Sequence, residues 1–186
     1  MPFVKSLPPD AGPPAIYQKY PEIYGPWSQM SQAVMNGPSS VSQGERELIL
    51  AYAAALDGCQ FVYVAHAEVA YAWGIERGLI EKLLADFDGT SVEPRLKTLL
   101  AFVRKITLAP ATIGQEDVDA VFAAGWNEQA LHDAASIAGR AVFMHRLVAA
   151  YGFTPLARDV AAKHAAKRIE RGYVNLYPAF RETKPS

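Results

Sequence analysis

The chain has 186 residues, 51% of them hydrophobic, with 18 basic and 19 acidic side chains and a formal net charge of −1. That length supports one well-buried core, and charges so balanced and dispersed supply no field to attract nucleic acid or an anionic membrane. A single cysteine cannot form an internal disulfide, which suits a reducing cytoplasm. The amino terminus, MPFVKSLPPDAGPP, has no apolar core followed by a cleavage site, and no run approaches the roughly 20 apolar residues of a spanning helix, so a soluble cytoplasmic protein is expected.

Residues 1–40 hold 8 of the 13 prolines and read as an irregular arm with one short helix around Trp27 to Met35. Phe3, Tyr17, Tyr20, Tyr24 and Trp27 would be costly to leave in water, so the arm is expected to cover the core or a neighbouring subunit. Residues 41–186 read as a single helical domain. Ser42 and Glu45 have the spacing of a capping box and open a helix to about Leu56. Asp57 and Gly58 break it, and a second helix from about Cys59 reaches Trp73 before Gly74, making a hairpin. Helical patterns follow at about Arg77–Asp86, Pro94–Leu108, Gln115–Ala124, Glu128–Tyr151 and Pro155–Arg171, with Asn127 and Thr154 as N-caps. No stretch alternates at period two, so the class is all-α with about 7–8 helices. A faint echo links FVYVAHAEVAYAWG to RAVFMHRLVAAYG, each with an aromatic, a valine and a histidine before a glycine.

Chemistry concentrates in the second helix of the hairpin. Cys59, Val62, His66, Val69 and Trp73 fall on one stripe at spacings of three and four. Cys59 and His66 are nevertheless two turns apart, about 10 Å along the axis, so a water or a third group would have to link them. A free cysteine commonly behaves as a small buried hydrophobe, and a histidine on an apolar face is commonly a core residue. Against that, a cysteine in the first turn of a helix meets unpaired amides that favour a thiolate.

The stretch GERELILAYAAALDGCQFVYVAHAEVAYAWG resembles the core motif of the carboxymuconolactone decarboxylase and alkyl hydroperoxidase D superfamily. In that motif a glutamate precedes Cys-x-x-Cys by twelve residues, and a histidine follows the second cysteine by four. Glu47, Cys59 and His66 match the glutamate, first cysteine and histidine, while Val62 replaces the second cysteine. The likeness runs from about Ser42 to Phe153, with residues 42–74 as its core. The proline-rich arm and the ending RGYVNLYPAF look most like the peroxidase-related branch.

The resemblance implies a compact helical fold that assembles into dimers, trimers or hexamers, with the site at a subunit boundary. It also implies a small-molecule substrate and a Glu47, Cys59 and His66 site. With Val62 in place of a thiol, Cys59 cannot close the local disulfide, and a sulfenic acid on it would need an external thiol. His66 can exchange a proton near neutrality and Glu47 can orient its imidazole or act as base. His145 and Arg146 stand where the family usually shows an asparagine and arginine, so they are expected to line the substrate site with Val62, Arg146 serving a carboxylate. Glu68 is expected on a solvated face, and His132 and His164 at the surface or in packing. No compact metal-ligand spacing and no cofactor motif is present, so no metal and no cofactor is expected.

The reading is an enzyme that decarboxylates or isomerises a small organic acid or lactone, with His66 as acid or base and Glu47 as its partner. A single-cysteine peroxidase is the alternative, and a catalytically silent oligomeric scaffold the third.

Overall fold

A computed structural model describes residues 1–176, so the last four residues of RGYVNLYPAF lie outside the described residues. Among the described residues there are nine α-helices and no strand: α1 (Pro13–Lys19), α2 (Pro21–Asn36), α3 (Gln43–Leu56), α4 (Gln60–Ala72), α5 (Leu79–Ala85), α6 (Pro94–Leu108), α7 (Gln115–Ala123), α8 (Glu128–Tyr151) and α9 (Arg158–Arg171), with one 3₁₀ turn at Pro110–Thr112. The all-α class read from the pattern is the class found.

Helix α3 is the axle of the fold. The Ser42 hydroxyl accepts from the Glu45 amide and the Glu45 carboxylate accepts from the Ser42 amide, the capping box read from the sequence. Every residue from Gly44 to Ala54 except Glu45 is buried, because α2, α4, α5, α6 and α8 all lie against this one helix. A helix apolar on all sides belongs in the interior, and its charged members therefore need partners. Arg46, 4% exposed, finds them in carbonyls: its Nε donates to Val41 at 2.8 Å, and its Nη1 to Val34 at 3.0 Å and Gly37 at 2.9 Å. That fan ties the end of α2 to the start of α3.

The first 40 residues are more regular than their prolines suggest. Pro13 and Pro21 open α1 and α2 at positions whose N–H would have had no helical partner. Pro26 sits inside α2 on its exposed side. Ile16, Tyr17, Tyr24 and Met35 are buried in the same core as α3, so the arm covers its own chain's core. Phe3, 74% exposed, does not.

One boundary also moves. Helix α9 begins at Arg158, three residues later than the pattern implies, and Thr154 does not cap it. Residues 153–157 run outside helix and seat Phe153 in the core. Arg158 itself is drawn to Tyr63 at 3.2 Å and Glu81 at 3.1 Å. Glu68 is 3% exposed rather than solvated, and pairs with Arg77 at 3.0 Å and with Arg158 at 3.8 Å.

Candidate active site

The site begins with the hairpin turn. Gly58 takes φ +78°, a left-handed conformation that costs glycine little and other residues more, and the chain reverses there into α4. Glu47 lies nine residues before the end of α3 and His66 six residues after the start of α4. At 1.5 Å per residue both stand roughly 10–14 Å from the turn, so the antiparallel pair brings them level. Their side chains meet: His66 Nδ1 is 2.7 Å from Glu47 Oε2, with His66 5% and Glu47 3% exposed.

Helix α9 and the turn after it complete the constellation. Gly172, at φ +66°, ends α9, and a Cβ there would come within 2.4 Å of the Gln32 amide oxygen. The Tyr173 amide donates to that same oxygen at 2.7 Å. So aimed, the Tyr173 hydroxyl donates to Glu47 Oε1 at 2.6 Å. From the last turn of α9, Arg168 Nη1 lies 3.0 Å from His66 Nε2.

These partners fix the protonation states. Burial pushes His66 down to about 4, and Arg168 beside it adds to the effect against the pull of Glu47. The imidazole is neutral near pH 7. Its Nδ1 carries the proton and donates to Glu47, which leaves Nε2 to accept from Arg168. Burial raises the Glu47 carboxyl, but His66, Arg168 and the Tyr173 hydrogen bond outweigh it and hold the group below the usual carboxylate range. With His66 neutral, the Arg168 charge and two accepted hydrogen bonds keep Glu47 ionised. Burial, and then Glu47 beside it, raises the Tyr173 phenol above its ordinary value.

His66 borders a cavity of about 470 Å³. Val62, one turn earlier on α4, lines it with Phe61, Ala65, Tyr17, Trp27 and Met144, and Arg140, Arg168, Lys167 and His164 bring positive charge or basic nitrogen. His164 thus borders the cavity, whereas His132 is exposed beside Ser136, 3.4 Å away. The other sequence candidates lie elsewhere. Cys59, 2% exposed, is the N-cap of α4 and is not among the lining residues. Burial pushes its thiol up, and the amides of Val62 and Phe61 pull down without offsetting that. His145 and Arg146 are also off the cavity: His145 Nδ1 is 2.7 Å from Asp57 Oδ2, which Arg146 shares. Among the described residues no three His, Cys, Asp or Glu side chains gather as a metal would require.

Sequence reasoning missed Arg168, Tyr173 and Arg140. The one local signal was Gly172, a C-cap glycine closing a pattern that ends in basic residues, with Tyr173 immediately after it.

No family model and no curated protein matches the sequence. Solved structures do. An uncharacterized peroxidase-related protein from Silicibacter sp. TM1040 is 26% identical, over 73% of this chain and 71% of its own, with a TM-score of 0.67. An alkylhydroperoxidase core protein, an uncharacterized peroxidase-related protein from Ralstonia eutropha JMP134, superposes with a TM-score of 0.71 at 20% identity over 79% of this chain and 76% of its own. The chain has the alkyl hydroperoxidase D-like fold. A cysteine-to-alanine variant of the debrominase Bmp8, in complex with 2,3,4-tribromopyrrole, shares that fold with a TM-score of 0.63 at 16% identity, over 90% of this chain and 95% of its own. The superfamily resemblance carried by Glu47, Cys59 and His66 therefore agrees with the architecture. Among the described residues no helix is long and apolar enough to cross a membrane.

Proposed function

We propose that this protein is a cytoplasmic enzyme performing acid–base chemistry, decarboxylation or isomerisation, on a small organic acid or lactone bound in the cavity beside His66. One observation carries the reading: a neutral imidazole, oriented by Glu47, borders a cavity of about 470 Å³, while the only thiol is 2% exposed and off its lining. A group that exchanges protons must reach substrate, and His66 meets that condition where Cys59 does not. Glu47 fixes the tautomer and stabilises the imidazolium when Nε2 takes a proton, the role a buried carboxylate plays beside a histidine base. Arg168 must yield Nε2 for that to happen, so substrate has to engage Arg168 or displace it. The debrominase of this fold, bound to a small planar ring, supports a cavity for a compact unsaturated substrate.

Turnover of a panel of unsaturated and lactone carboxylates, measured alongside peroxide consumption with an external thiol supplied, tests the reading. His66→Gln should lower kcat/KM by about 10²–10⁴-fold, and Cys59→Ser should cost less than about tenfold. A Cys59→Ser variant without any activity beside an active His66→Gln would put a thiol peroxidase in its place. The specific argument for that second reading is the position of Cys59 at the α4 N-terminus, facing the amides of Phe61 and Val62.

The proposal includes a homo-oligomer. Ile23, 55% exposed, and Met30, 38% exposed, lie on α2, and Phe143, 43% exposed, sits 4.4 Å from the Trp27 ring between them, an apolar patch suited to a second copy. Light scattering at micromolar concentration should give a multiple of the 20.3 kDa chain mass; a monomer would remove this part.

A further inference from the structure

Arg140, on α8, lines the cavity and is 6% exposed. Its Nε donates to Ser31 Oγ at 3.0 Å, and Ser31 is fixed in turn by donating to the Trp27 carbonyl at 2.8 Å. The guanidinium carbon lies 4.8 Å from the centre of the Tyr173 ring and 5.7 Å from that of Trp27. Held on three sides, it leaves Nη1 buried with no hydrogen-bond partner among the described residues. A buried polar atom without a partner is uncommon in native proteins, and on a charged group it is more costly than on a neutral one. Arg140 and Arg168 both act on His66 as positive charges, while Glu47 is the carboxylate that answers them. The cavity therefore carries a buried cation with a donor to spare. Phe61, Val62 and Met144 supply apolar wall to the same cavity.

We propose that Arg140 is the anion anchor of this cavity, its guanidinium, which holds a donor without a partner, binding the carboxylate of a small ligand whose flat, apolar body lies against Phe61, Val62 and Met144. The proposal rests on reading the cavity as the substrate site, and it moves the carboxylate partner from Arg146, which Asp57 occupies, to the buried guanidinium of Arg140 on the same helix. Guanidinium donors match a carboxylate in geometry as well as charge. Ser31 is a positioning residue here, because its bond to Nε fixes the guanidinium against the Tyr173 and Trp27 rings.

The test is calorimetric binding of benzoate, with benzamide as the neutral analogue of the same shape, to the full-length wild type, Arg140→Met, Arg140→Lys and His66→Gln. Benzoate should bind wild type, and benzamide at least tenfold more weakly. Arg140→Met should weaken benzoate by about 10- to 100-fold, the loss of one charge-assisted hydrogen bond, and leave benzamide unchanged. Arg140→Lys should fall between. Circular dichroism and benzamide binding identify an Arg140→Met protein that has lost its fold, in which case Arg140→Lys and the wild-type preference for benzoate over benzamide decide. Equal binding of benzoate and benzamide by wild type, no binding of benzoate, or undiminished benzoate binding by a folded Arg140→Met would overturn the anchor, the last meaning that Nη1 is served by water. His66→Gln separates this from the acid–base reading: it should lower kcat/KM by about 10²–10⁴-fold yet still bind benzoate. Full turnover in His66→Gln sinks the acid–base reading alone, and undiminished benzoate binding in Arg140→Met sinks the anchor alone.

Discussion

Two histidines in this protein make the same bond. His66 Nδ1 lies 2.7 Å from Glu47 and His145 Nδ1 lies 2.7 Å from Asp57, and the two helices that carry them echo each other in sequence. Their surroundings differ. The first pair has side chains 7% and 4% exposed, and Arg168, Tyr173 and the cavity close around it. The second has side chains 27% and 15% exposed, and its carboxylate is shared with Arg146, itself 62% exposed. A histidine–carboxylate bond is thus not a site by itself. What turns one into a candidate catalytic pair is burial, which shifts its proton equilibria, together with a cavity that a substrate can enter.

The largest expected contrast comes from deleting the two carboxylates. Glu47→Ala leaves the Nδ1–H of His66 and the hydroxyl of Tyr173 buried without an acceptor and removes the charge that answers Arg168. Breaking such a buried set costs about 3–5 kcal/mol, whereas Asp57→Ala, at a partly exposed pair, should cost about 0–1 kcal/mol. Urea unfolding of both variants measures the difference, and equal losses would dissolve the contrast.

A smaller effect appears with pH. His66 takes up a proton near pH 6.5 when unfolded and only near pH 4 when folded, so the unfolded state binds more protons between those values. Stability should therefore be intact above about pH 6.5 and fall through to about pH 4, by a few kcal/mol. Glu47, held below its ordinary value, adds a further loss at more acid pH as it protonates in turn. Unfolding midpoints measured from pH 7.5 to 4 should show this slope in wild type and a flatter one in His66→Gln. A slope unchanged by His66→Gln would mean that the buried imidazole is not the group taking up the proton.

Much of the scaffold was legible because it is written locally. The capping box of Ser42 and Glu45, the break at Asp57 and Gly58 and the twelve residues from Glu47 to Cys59 all lie within one hairpin, where spacing maps directly onto geometry. The missing half of the site comes from far along the chain. Arg168 reaches His66 across 102 residues and Tyr173 reaches Glu47 across 126, and no periodicity reports a contact at that range. Charge misled in two places. Glu68 reads as solvated, yet Arg77 and Arg158 cover it, and Arg146 reads as the cation for a carboxylate when Asp57 already holds it. The arm misled through composition: prolines suggest irregular chain, but at Pro13 and Pro21 they occupy first-turn positions where a helix tolerates them.

The wall formed by α9 is attached in an unusual way. Only Ala161 and Ala165 of this helix are buried, so little apolar surface holds it to α4. Arg158 fastens one end to Tyr63, Glu81 and Glu68, half exposed at 51%, and Arg168 fastens the other to His66. Contacts of the first kind are worth about 0–1 kcal/mol and weaken as dissolved ions shorten the reach of each charge to about 8 Å at physiological ionic strength. The helix that supplies Arg168, and Tyr173 just beyond it, is therefore among the elements least costly to lift away. Raising the ionic strength should therefore loosen α9 first at its Arg158 end, while the hairpin that carries Glu47 and His66 stays in place.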